Sequence, residues 1–206
     1  MSRRIIGIFV CMLLISNIIP VAVMAGDEEN PEISDEEEND VQDNFNIISA
    51  WFFEKEEEPD YLFTALKLKN VDTMKLKQHL VVSWEHNGIH CSAGLYIGYD
   101  PNCWFAYEGG YGHGWWFQEH YQKIEGGFDE ETGVIICKTP KSIINNPEKG
   151  DVLTNTRALA FQRFGFIGRM GFDRWFIQSL IYFITGKSVS DYAPNDGYGI
   201  DYIIKY

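Results

Sequence analysis

A chain of 206 residues with 45% hydrophobic and 15% aromatic residues holds enough material for one domain with a substantial core, which excludes a wholly disordered chain. Its formal charge of −13 argues against nucleic acid as a partner, because a phosphate backbone demands the opposite field. The charge is uneven: residues 27–43 hold ten acidic residues and no basic one, whereas the chain from Phe45 onward carries 20 acidic against 15 basic residues.

In chain order, Arg3 and Arg4 form a basic start, residues 5–19 are an apolar run softened by Ser16 and Asn17, and Pro20 breaks any helix there. Val23-Met24-Ala25 places small residues where signal peptidase reads, so residues 1–25 are expected to be a signal peptide cut after Ala25. The alternative is an uncleaved N-terminal membrane anchor, since residues 5–25 approach the ~20 residues that span a bilayer. Either way the acidic body belongs outside, secreted or held at the outer face of the membrane. Residues 26–44 (GDEENPEISDEEENDVQDN) are almost free of apolar side chains and repel one another, which predicts an acidic, disordered linker.

From Phe45 the texture changes. Short runs rich in β-branched and aromatic residues recur at 46–54, 61–69, 79–85, 90–97, 103–108, 115–124, 133–138, 151–164 and 202–206, separated by turn signals. They predict an all-β domain over residues 45–206, an antiparallel two-sheet sandwich of jelly-roll type, with a barrel as the other way to close such strands. Alternation places Leu80, Val82 and Trp84 on one face against His79, Val81, Ser83 and Glu85, and Cys91, Ala93, Leu95 and Ile97 against His90, Ser92 and Tyr96. Asn87-Gly88 is a hairpin signal, and Gly126-Gly127 reads as another turn. Residues 173–185 (DRWFIQSLIYFIT) break the scheme: Asp173 suits an N-cap, Gly186 a C′ position, and the stretch reads as a short helix or inserted apolar segment too short to cross a membrane.

The stretches NIISAWFFEKEEEPDYLFTALKLKNVD, VVSWEHNGIH, KTPKSIINNPEKGDVL and SDYAPNDGYGIDYII, in that order, resemble modules of exported archaeal and bacterial surface proteins. Those modules are similar to the DOMON and family-9 carbohydrate-binding jelly-roll superfamily. The resemblance covers residues 45–206 and rests on structural signposts, with the 173–185 run as a departure. It implies a sandwich that binds sugars or haem, or that serves as an adhesion or spacer module, and fold alone does not choose among these.

For chemistry, no Gly-x-Ser-x-Gly elbow and no His-Glu-x-x-His helix is present. Cys91 adjoins His90, but neighbours on a strand point to opposite faces and cannot act as a dyad. The mature chain keeps Cys91, Cys103 and Cys137, an odd number in an oxidising compartment, so one disulfide among them or none are both open. The five histidines, His79, His86, His90, His113 and His120, read as ordinary surface residues before they read as a transition-metal site. Haem would need an axial partner that Met170 does not visibly supply. Calcium is the one cation the acidic loops at 129–131 and 191–196 offer to hold, although no 12-residue calcium loop exists; otherwise no cofactor is expected.

The densest aromatic patch is 103–121 (CWFAYEGGYGHGWWFQEHY), and its candidate ligand-binding residues are Trp104, Tyr107, Tyr111, His113, Trp115 and Trp116. Aromatic faces stack on sugar faces and glycines admit a ligand to the backbone, although alternation must send some of these rings to the core. The expectation is an exported cell-surface module without catalytic activity, in a binding or structural role, with a glycan or cell-surface polymer as partner. A spacer or adhesion domain is the second reading, and a redox or hydrolytic enzyme the last.

Overall fold

The computed structural model describes residues 27–35, 41–70, 78–97, 103–108, 122–129, 131–162, 181, 184–188 and 190–206. Their strands form two antiparallel sheets packed face to face, and the sheets do not close into a barrel. One sheet holds β1 (Ile33–Ser34), β2 (Ile47–Phe53), β3 (Tyr61–Leu68), β8 (Glu125–Asp129) and β9 (Val134–Pro140) in the order β1-β2-β3-β9-β8. The other runs β11-β10-β4-β5-β6-β7, from β4 (Gln78–His86), β5 (Ile89–Ile97), β6 (Cys103–Glu108), β7 (Gln122–Lys123), β10 (Val152–Gln162) and β11 (Ser190–Ala193), while β12 (Tyr202–Ile203) pairs with β10.

The alternation read from the sequence sets the register. Leu80 lies opposite Leu95, Val82 opposite Ala93 and Trp84 opposite Cys91, so all six face the partner sheet, where Leu62, Thr64 and Leu66 of β3 come in from the other side. Asn87 and Gly88 both adopt positive φ (51° and 75°), the geometry of the tight hairpin turn that matches the twist of its strands. At the centre Phe52, Trp84 and Tyr202 are fully buried; Phe52 meets Trp84 edge-on and Tyr202 at a tilt, with centroids 5.5 Å apart in each case. The outer face of the second sheet is also apolar, with Val81, Tyr96 and Phe105 buried in a cluster of their own.

Two expectations need correction. Residues 26–44 are not a free linker where they are described: Ile33 is fully buried in the core and pairs with Ala50, and Val41 is buried and bridges to Ser188. The carboxylate of Glu32 accepts the backbone N–H of Phe52 at 2.9 Å, and Lys67 pairs with Glu28. Thus two apolar residues and two carboxylates with partners fasten the acidic run to the domain. Gly126-Gly127 is not a turn but the middle of β8, paired with Cys137 and Ile136. A Cβ on Gly126 would sit 2.0 Å from the Trp104 ring, so the glycine is there to admit the indole. Between 129 and 150 the first strand is β9, and the turn that precedes it is capped by Asp129, whose Oδ1 accepts the N–H of Glu131 at 2.8 Å. Of the 173–185 segment, Ile181, Ile184 and Thr185 are described and helical; Ile181 packs on the core and Gly186 follows at φ 67°. The expected signal peptide at 1–25 and, of the 173–185 segment, residues 173–180, 182 and 183 lie outside the described residues.

Candidate functional site

Of the aromatic patch, the described residues reach only β6. Trp104 lies opposite Leu95 on the inner face, half-buried, with its ring against Gly126 and stacked on Phe128 at 6.5 Å and 25°. It therefore bridges the two sheets where β6 meets β8. Tyr107 contributes its backbone to β6 opposite Ser92, and Tyr111, His113, Trp115 and Trp116 lie outside the described residues.

A concave site opens elsewhere, at the end of the sandwich where β9 leaves the first sheet. A cleft of about 570 Å³ is lined by Pro59, Asp60 and Tyr61 from the start of β3, by Pro140, Lys141 and Ser142 from the 3-10 turn Lys141–Ile143 after β9, by residues 146–149, and by Tyr206. Its volume is in the range of small-ligand sites. The loop that walls it is unusual: Asn145 and Asn146 are consecutive non-glycine residues at positive φ (64° and 45°), a conformation that clusters at functional sites. That loop is tied down. Asn145 Nδ2 donates to the carbonyl of His86 at 3.1 Å, and Asn146 N–H to the carbonyl of Lys141 at 2.9 Å.

One lining residue, Lys141, is buried and paired behind the cleft. Lys141 Nζ lies 2.6 Å from Glu54 Oε1, with side-chain exposures of 7% and 0%. Lys141 Nζ also donates to the carbonyl of Tyr206, while Glu54 Oε2 accepts the backbone N–H of Lys205 at 2.6 Å and the Tyr202 hydroxyl at 3.2 Å. Burial, and then the Glu54 carboxylate beside it, push the Tyr202 hydroxyl far above its ordinary range, so it stays a proton donor. Two of the three ammonium donors of Lys141 are therefore spent within the protein. Chemically the cleft presents two tyrosine rings, proline walls, amide and hydroxyl groups, and charges of both signs on its rim in Asp60, Glu148 and Lys149.

The other candidate residues are apart. His79 packs among Tyr96, Phe161 and Phe105; His86 bonds Asp151 Oδ2 at 3.0 Å; His90 lies opposite Glu85, its pKa lowered by burial. His113 and His120 lie outside the described residues. Cys91 and Cys137 are both buried thiols, on different sheets, and burial pushes the Cys137 thiol up to about 12, which keeps it protonated and inert. Asp191, offered above for calcium, is buried instead, its Oδ2 accepting the N–H of Ile47 at 2.7 Å. Among the described residues no group of three or more His, Cys, Asp or Glu side chains is placed to hold a metal ion.

Reading the sequence singled out none of Glu54, Tyr61, Lys141 and Tyr206. The available signal was the run KTPKSIINNPEKGD: two prolines and paired asparagines at the end of a strand mark a rigid irregular loop, where binding residues concentrate. No family model matches this chain, and neither does any curated protein or solved structure.

Proposed function

We propose that the chain is an exported cell-surface β-sandwich that binds carbohydrate without catalysis, and that the cleft between Tyr61, Lys141 and Tyr206 is its binding site. The observation that carries this reading is a saccharide-sized concavity lined by two tyrosines, with the lining Lys141 already paired to the buried Glu54. Rings stack on the apolar faces of a sugar; Asp60, Ser142, Asn146 and Lys149 supply hydroxyl-binding groups of both polarities. The basic start, apolar run and Val23-Met24-Ala25 of the sequence support export, and the resemblance to carbohydrate-binding sandwiches supports the ligand class. A spacer without a ligand is the reading left if the cleft binds nothing.

The test is affinity electrophoresis of the mature chain through gels carrying laminarin, mannan or xylan. At least one should retard it, with dissociation constants on the order of micromolar to millimolar, as suits a small contact area. Tyr206→Ala and Tyr61→Ala should each weaken retardation by roughly ten-fold, the loss of one aromatic anchor, with the melting temperature nearly unchanged because neither ring is in the core. Passage of the wild type through every gel unretarded would leave only the spacer.

A further inference from the structure

One wall of the cleft is held in place from outside it. Tyr61 and Phe63 alternate onto the outer face of the first sheet, and Lys138 of β9 stands opposite Phe63. The Lys138 ammonium does not extend to solvent but sits 4.3 Å from the centroid of the Tyr61 ring. It is bonded there by the carboxylate of Glu58, from the segment joining β2 to β3. The same carboxylate lies 3.8 Å from Lys55 Nζ, which in turn covers the Phe63 ring at 4.7 Å; Phe63 is stacked on Phe53 at 4.9 Å. One carboxylate thus gathers two ammonium groups onto two rings, and Pro59 and Asp60, the next residues along, are themselves cleft wall.

We propose that Glu58 is a positioning residue for ligand binding: through Lys138 it closes the outer face of Tyr61 and fixes the ring that walls the cleft, and acid releases that hold. This rests on the reading of the cleft as a carbohydrate site. The ion pair is only half-buried at the surface and adds little to global stability, so its effect falls on the placement of one ring. The charged groups around it are few. Glu58 faces Lys138 and Lys55; Lys138 faces Glu58, Glu125 of β8 and the Tyr61 hydroxyl. The Lys138 partner holds Glu58 below its ordinary value of 4.5, and the Glu58 partner raises Lys138. A carboxylate with a lowered folded-state pKa keeps its contact at and above the ordinary carboxylate range and loses it as pH falls through the lowered value. The hold is therefore complete at neutral pH and released only in acid.

The experiment has two arms on the full chain. In the first, ¹³C-labelled tyrosine rings are followed by NMR from about pH 7 to 3, with Tyr61 assigned by Tyr61→Phe. The Tyr61 signals should move as Glu58 protonates, and in Glu58→Gln they should rest at the acid position throughout. In the second, Glu58→Gln should weaken retardation by whichever of laminarin, mannan or xylan retards the wild type about five-fold, the scale of one cation–π contact, with the melting temperature unchanged. Glu125→Gln, which leaves the Glu58 contact in place, should match the wild type in both arms. Tyr61 signals indifferent to Glu58 would overturn the hold itself. Responsive signals with unchanged retardation would overturn the positioning role while leaving the carbohydrate reading intact. A wild type that no gel retards would overturn both that reading and the role built on it, and the ring titration would still report whether the hold exists.

Discussion

Glu54→Gln is expected to cost about 3–5 kcal/mol of folding stability, the range for removing one partner of a buried ion pair. The amide keeps the shape of the side chain and can still accept from the Lys205 N–H and the Tyr202 hydroxyl, so the substitution isolates the charge. What remains is the Lys141 ammonium at 7% exposure with its carboxylate gone. At this chain length each kcal/mol moves the melting temperature by roughly 2–4 °C, so a fall of about 10 °C should be visible by circular dichroism. Adding Lys141→Met should recover most of the loss, because an apolar side chain of similar length removes the orphaned charge. A double variant no more stable than Glu54→Gln would mean that the pair is not the source of the effect.

The second large effect is at Trp84. Trp84→Ala should cost about 3–5 kcal/mol, since the indole is fully buried between Phe52 and the inner face of β5 and its removal leaves a cavity that two packed sheets cannot collapse. Trp84→Phe should cost much less. The indole N–H has no hydrogen-bond partner among the described residues, so a phenyl ring forfeits volume but no bond. Urea unfolding of the two variants checks this; equal losses would show that the N–H is bonded after all.

The architecture was legible because alternation is local. HLVVSWE and HCSAGLYI each declare two faces within seven or eight residues, and Asn87-Gly88 joins them without ambiguity. What stayed hidden is non-local. Ile33 is an apolar residue isolated among acidic neighbours, and the edge of β2 that it pairs with explains why it is buried. Gly126-Gly127 has the composition of a turn, yet it is a strand because the Trp104 ring lies across it, a contact between residues 22 apart in sequence and on different sheets. The cleft is harder still. It draws Tyr61, Lys141 and Tyr206 from three separated stretches, none carrying a motif, with Glu54 behind Lys141, while the aromatic density at 103–121 is partly spent on packing, as Trp104 demonstrates.

The most direct test of the cleft as a carbohydrate site is an NMR titration of the ¹⁵N-labelled protein with an oligosaccharide cut from the polysaccharide that retards it. Saturable shifts should be confined to residues 59–61, 140–149 and 206 and their immediate neighbours. Shifts centred on 103–121, or none up to about 10 mM sugar, a concentration at which even weak saccharide contacts register, would contradict it.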